Sequence, residues 1–313
     1  MLFRATRFTA IVLGLLTLVL VMQPLAASAT VYYWTTSTNS YVDAPGTWDL
    51  STMEWRTGST QASWGSTAPT DIAQFGHWSG TGGLVQVATG TTVNVGGLNF
   101  SAVGGNYSLG GGVIQLNATG TTAPAIALIS PLAGANTTIS IGTTLAGTAG
   151  LTMYGVYSQV TNNITPTSSN GALILTGSNT LTGGITATNL SLTEDFSAAG
   201  APTSNIIAAA NAMTLNSITL ALKGAGGATV NSQTYSGLTI NSGGESVQAQ
   251  FAATTSGSGG LTINLGNLSR GNTGATVDFA YGSNASSSNV VFQSSTANTD
   301  FTSSGGSNTI LGG

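Results

Sequence analysis

The chain has 313 residues, of which only 4% are charged, and a formal net charge of −4 at neutral pH. So few charges cannot clothe the outer faces of helices, and they leave no basic patch for nucleic acid or anionic lipid. Cysteine is absent and histidine occurs once, which removes thiol chemistry, a disulfide framework and any metal site built on two imidazoles.

The chain opens with Arg4 and Arg7, an uncharged and mostly apolar run from Ala10 to Met22, and a small-residue exit, Ala27-Ser28-Ala29, ahead of Thr30. These are the three parts of a secretory signal peptide, and the apolar run is short for a membrane span. Residues 1–29 are therefore set aside as a signal, which predicts a secreted or surface-exposed protein. No later segment is apolar for long enough to cross a bilayer as a helix. Cleavage would leave Arg56, Lys223 and Arg270 against nine acidic residues, a net charge of −6.

Residues 30–80 read differently from everything after them. All five tryptophans fall there, with Asp43, Asp49, Glu54, Asp71 and the lone His77. The segment is expected to cap the N-terminal end of the longer region beyond residue 80. Trp34, Trp48 and Trp64 are candidate platforms for stacking sugar rings; the alternative is that such large rings fill the core of the cap. His77 is expected to be an ordinary cap residue.

Residues 81–313 alternate apolar and polar side chains over short runs. Val93 and Val95, Leu98 and Phe100, and Ile139 and Ile141 set the pattern. It continues in Leu173 and Leu175, Leu190 and Leu192, and Ile218, Leu220 and Leu222. Later come Leu238 and Ile240, then Leu261, Ile263 and Leu265, then Val277, Phe279 and Tyr281. Period two puts these side chains on one face of each strand. Gly, Asn and Ser bound the runs, and 41% hydrophobic content argues against disorder, with the Gly/Ser-rich tail as the exception. Leu192, Leu215, Leu238 and Leu261 succeed one another at 23-residue intervals. A period in this range points to a solenoid, and on the order of ten turns would fit the region. The fold class expected is all-β: a parallel β-helix, or β-solenoid, with a Trp-rich N-terminal cap.

The segment Gly171-Ala172-Leu173-Ile174-Leu175-Thr176-Gly177-Ser178-Asn179-Thr180-Leu181-Thr182-Gly183-Gly184 resembles the autotransporter-associated β-strand repeat. That repeat runs from a leucine strand through Gly-x-Asn-Thr-Tyr-Thr-Gly-Gly to another short strand. Asn179, Thr180, Gly183 and Gly184 match its structural positions, whereas Leu181 stands where Tyr is usual. Leu145 to Leu151 is similar to the approach to such a repeat, but a longer insertion, Met153 to Asn170, replaces the usual continuation. The start from Tyr32-Tyr33-Trp34 through Gly46-Thr47-Trp48 to Phe75 is similar to the beginning of such proteins in environmental bacteria. Val95 to Phe100 and Asn231 to Leu238 also resemble elements of the group. The resemblance implies an exported β-helical surface protein and implies no catalytic residues. The long strands of a membrane barrel are missing after Gly259, so the region reads as one cut short at its C-terminus.

Chemistry is sparse. Glu194-Asp195 is the only adjacent acidic pair, and neighbouring strand residues point to opposite faces, so the two carboxylates are expected to mark a corner between turns. Neither the Gly-Gly-x-Gly-x-Asp calcium repeat nor a phosphate-binding Gly-rich loop occurs, so runs such as Gly110-Gly111-Gly112 read as corners. The expectation is a structural or adhesive surface protein without cofactor or metal, whose partners are surface glycans or other cells. Two other readings stay open. One is a β-helical carbohydrate-active enzyme, a polysaccharide lyase or hydrolase, for which Lys223, Arg270 and Asp278 are the only late candidates. The other is a truncated gene product with no independent function.

Overall fold

The computed structural model describes residues 29–37, 42–76, 80–101, 105–130, 138–157, 172–256 and 259–295. Residues 1–28 of the proposed signal, His77, Trp78, most of the Met153–Asn170 insertion and the tail from residue 296 lie outside the described residues.

Short alternating strands with Gly or Asn corners bury one face, and they pair their backbones with the turns above and below. The chain therefore winds into a parallel β-solenoid of about seven turns. The first sheet stacks nine parallel strands: Val31–Trp34, Ile72–Phe75, Gly97–Ser101, Ala125–Ser130, Leu151–Tyr157, Ile185–Thr188, Ala212–Asn216, Gly237–Ser242 and Asn267–Arg270. A hairpin, Trp55–Thr57 and Thr60–Ala62, adds two antiparallel strands beside Val31–Trp34. A second sheet runs alongside, through Leu84–Val95, Tyr107–Leu116, Ser191–Asp195, Thr219–Gly224 and Gly244–Phe251 among others. A third face closes the later turns with Val230–Thr234, Gly260–Asn264 and Val290–Gln293. The only helix among the described residues is a three-residue 3-10 turn, Trp64–Ser66.

Pairing runs straight across residue 80. Ile72–Phe75 pairs with Gly97–Ser101, and Gly46–Trp48 with Leu84–Val95. The Trp-rich segment thus continues both sheets rather than sitting on them as a separate lid.

The 23-residue interval is not the length of a turn. Met213 pairs with Leu238, 25 residues on, whereas Leu151 pairs with Ile185, 34 residues on. Leu192 lies on the second sheet, Leu215 and Leu238 on the first, and Leu261 on the third. The even spacing therefore counts positions on different faces, and the expected ten turns become about seven. The reason is physical: the stack fixes which strand residues lie over one another, but the corners are free to lengthen. The nine parallel strands of the first sheet, eight steps at ~4.8 Å, give a stack of roughly 38 Å.

The alternations themselves bury as the pattern demands. Leu173, Leu192, Leu220 and Val247 form one inward column of the second sheet, all shielded from solvent. In the last described turn Val277, Phe279 and Phe292 are only partly buried, and Tyr281 is exposed. Corners use left-handed backbone, with Asn189, Asn205 and Ser217 at φ of +51°, +55° and +55°. Gly111 (φ +76°) bends the long Tyr107–Leu116 strand, and a Cβ there would come within 2.2 Å of the Val87 carbonyl.

Candidate functional site

Trp34, Trp48 and Trp64 do not face solvent. Their exposures are 0%, 0% and 3%, and with Trp55 and Phe75 they form a continuous cluster of rings. Centroids lie 4.5 Å apart for Trp55 and Trp64, 4.9 Å for Trp48 and Trp55, and 5.1 Å for Trp48 and Trp64. The Trp34 indole N–H donates to the Ala44 carbonyl (2.8 Å) and that of Trp64 to the Asn94 carbonyl (2.9 Å). In this arrangement the rings fill the interior, and none of the three presents a face on which a sugar could stack.

The residues considered for catalysis are dispersed. Lys223 Nζ pairs with Asp195 Oδ2 at 2.9 Å on the outside of the second sheet. Asp278 is exposed on the same sheet two strands further on, and Arg270 is exposed on the first. Among the described residues no three His, Asp or Glu side chains gather as a metal site would require. None of the described helices is long and apolar enough to cross a membrane.

Glu194 and Asp195 point to opposite sides, as alternation requires, and they close the Ser191–Asp195 strand where the chain turns, Asp195 Oδ1 accepting the Ser197 N–H (2.9 Å). Glu194 faces the interior with no exposed surface, in a column between Leu175 below and Leu222 above. Its Oε1 accepts a 2.6 Å hydrogen bond from the Tyr235 hydroxyl, while Oε2 has no partner among the described residues. Burial pushes this carboxyl up to about 8, the Tyr235 hydrogen bond opposing only in part. Burial, together with the adjacent Glu194, pushes the Tyr235 hydroxyl well above its ordinary value.

Asn179, from the recognisable turn, is also buried, and it ties three turns together. Its Oδ1 accepts the Leu145 N–H (2.9 Å), and its Nδ2 donates to the carbonyls of Gly177 (3.1 Å) and Ile206 (3.0 Å). Thr180 pairs with Ala146 of the turn below. Gly183 lies so close to Gly150 that a Cβ would fall 2.0 Å from its nitrogen, whereas a Cβ on Gly184 would meet nothing. The motif is thus a backbone clamp: the Asn179 amide is spent on neighbouring turns, while Thr180 is exposed.

What the molecule does present outward is regular. On the first sheet Thr152, Thr186, Thr214, Thr239 and Ser269 fall in register one above another, an unbroken column of five hydroxyls. Beside it, one period of the pleat away, run Tyr154, Thr188 and Asn216. Amides extend this second column: Asn216 Nδ2 donates to Thr188 Oγ1 (3.2 Å), Asn241 Nδ2 to Asn216 Oδ1 (2.7 Å), and Asn272 Nδ2 to the Asn241 carbonyl (2.6 Å). On the second sheet one outward column stacks three hydroxyls, Ser191, Thr219 and Ser246, between Ala172 and Asp278, and the next is mixed: Ile174, Thr193, Ala221 and Gln248. The hydroxyl column escapes a reading of the sequence because its members are 25 to 34 residues apart. Its signal is a hydroxyl residue directly after an inward residue, as in Leu151-Thr152-Met153, Ile185-Thr186-Ala187, Met213-Thr214-Leu215 and Leu238-Thr239-Ile240. Leu261-Thr262-Ile263 carries the same signal but lies on another face.

No protein-family model matches the chain, and no solved structure is recognisably similar to it. Over 203 residues, 63% of the chain, it is 32% identical to the adhesin BmaC autotransporter of Brucella suis biovar 1 (strain 1330). The chain spans about one twentieth of the length of that protein, the match covering 5% of it.

Proposed function

We propose that this chain is an exported, non-catalytic adhesive solenoid presented at a bacterial surface, and that the hydroxyl and amide columns of the first sheet are its contact face. The observation that carries the reading is the unbroken Thr152, Thr186, Thr214, Thr239, Ser269 column beside its amide-bearing neighbour. Solubility alone asks only for polar residues somewhere on the outside; the other large sheet also stacks Ser191, Thr219 and Ser246, but that run is shorter, ending at Ala172 and Asp278, and its neighbouring column mixes Ile174, Thr193, Ala221 and Gln248. A face repeating every ~4.8 Å along the axis suits a partner with a repeat of its own, such as an extended neutral glycan. Hydroxyls and amides both donate and accept, so they match such a partner without ionic contacts. Similarity to an autotransporter adhesin supports the surface and adhesive parts of the reading. The Arg4 to Ala29 segment supports export.

Beads coated with the chain should adhere to bacterial or epithelial cells more than beads coated with serum albumin. Thr186→Lys and Thr239→Lys together place two charges on the column and should lower that adhesion several-fold without moving the urea midpoint. Adhesion no better than albumin, or an undiminished double variant with intact fold, would sink the proposal.

A further inference from the structure

Glu194 is a carboxyl in an apolar column that neither the stacking of turns nor adhesion requires. Of the four other buried acids, Asp43 also lies beside a tyrosine, Tyr107, but accepts the Gly76 N–H as well (3.2 Å), and the remaining three use both oxygens. Glu245 accepts the backbone N–H groups of Ser217 (2.8 Å) and Ile218 (2.7 Å), one on each oxygen. Asp71 accepts those of Thr30 (2.8 Å) and Ala68 (2.7 Å), again one on each. Asp195 has Ser197 on one oxygen and Lys223 on the other. Among the described residues Glu194 has a single donor, Tyr235, and an oxygen with none.

Its surroundings offer no compensating charge. Leu175 and Leu222 close it from below and above, and Tyr235, also buried, closes it from the third face. The Asp195–Lys223 pair next to it in sequence points away from the interior. Glu245 belongs to the next turn, at the opposite end of its strand from Ala249, the residue stacked over Leu222. An ionised carboxylate in such a place is costly unless it is paired and fully hydrogen-bonded.

We propose that Glu194 is a proton-operated lock on the middle turns. Protonated, it fills the column as a neutral group pinned by Tyr235; ionised, it forces the turns around Ser191–Asp195 and Thr219–Gly224 to open locally and releases the Tyr235 corner. The same two turns carry Thr186, Thr188, Thr214 and Asn216, so opening them would also blur the regular outer face.

The direction of the pH dependence is set by linkage. The folded carboxyl is raised from 4.5 to about 8, so between those values the folded protein holds a proton that the unfolded chain has released. The stabilisation is complete below the unfolded value, declines as pH rises, and is lost as pH passes through about 8.

The test uses the full chain and measures hydrogen exchange of the Leu192 and Leu220 amides, corrected for intrinsic chemistry, at pH 6 and pH 9. Wild type should lose on the order of a hundredfold in protection between them, given a raised acid titrating within that window. Glu194→Gln keeps the shape and the acceptor for Tyr235, and its protection should hardly change. Tyr235→Phe removes the one donor to the ionised form, so its loss of protection should run on to higher pH than in wild type before it levels off. A purely structural tyrosine would instead weaken protection equally at every pH. Parallel behaviour of wild type and Glu194→Gln overturns the lock, as does a Tyr235→Phe profile displaced downward but not along the pH axis. These readouts do not depend on adhesion, so the lock and the contact face can fail separately.

Discussion

From Trp34 to Tyr107 the interior is packed with aromatic rings, whereas beyond Ala172 it is packed with columns of Leu, Ile and Val interrupted by Asn179, Glu194, Asn231, Gln233 and Tyr235. Rings from six strands and the 3-10 turn touch one another in the first region: Phe75 alone packs against Trp34, Trp48, Trp55, Phe100 and Tyr107. In the second, a side chain stacks on its counterpart one turn below and one turn above. The first arrangement ties an irregular start, including an antiparallel hairpin, into one unit. The second can be repeated turn by turn, because each turn meets only its neighbours. Aromatic packing thus tolerates poor register, while aliphatic columns depend on it.

The largest effect should come from removing a ring where several meet. Trp55→Ala deletes a buried side chain whose ring lies within 5.4 Å of those of Trp34, Trp48, Trp64 and Phe75, and should cost about 3–5 kcal/mol in urea unfolding. Leu220→Ala, in the middle of an aliphatic column, should cost less, about 2–3 kcal/mol. If the leucine proved the more expensive of the two, the distinction between a shared cluster and independent columns would collapse.

Next comes Asn179, where the later turns depend on one amide. Asn179→Ala leaves the Leu145 N–H and the Ile206 carbonyl with fewer partners in a dry interior, at a cost of about 2–3 kcal/mol. Exchange of the Leu145 amide should accelerate most, since its donor loses its acceptor outright. An unchanged Leu145 amide would mean that the clamp is not what holds these turns together.

Much of this architecture can be read from residues, and what cannot has a common cause. Alternation predicts the inward faces of Leu173, Leu192, Leu220 and Leu238, because the pleat alone decides that sidedness. Stacking order cannot be read that way: Leu261 sits in the same Gly-Leu-Thr-Ile run as Leu238 yet lies on another sheet, since corner lengths set which strand meets which. The Asn179 turn is visible in the sequence, but its role as an inter-turn clamp is not, because its partners are 34 residues back and 27 ahead. The same holds for Glu194, whose partner Tyr235 is 41 residues away. A composition rich in Thr foretells a neutral outer surface, and only register gathers five of its hydroxyls into a column.

The smallest effect separates two adjacent glycines that look equivalent in the sequence. Gly183 stands where the Asn179 turn passes over the turn below, with the Gly150 nitrogen and Cα at 2.0 and 2.4 Å from where a Cβ would be. Both obstacles are backbone, so Gly183→Ala must push two turns apart and should cost about 1–3 kcal/mol. Gly184 has open space around its Cβ position, and its carbonyl, which accepts the Leu151 N–H at 3.0 Å, is kept by any substitution. Gly184→Ala should therefore stay within about 0.5 kcal/mol of wild type. Urea midpoints for the pair decide the point, because the two variants add the same methyl group one residue apart. Equal costs would mean that this corner is loose enough to absorb a side chain anywhere, and that register among the later turns is held by the columns alone.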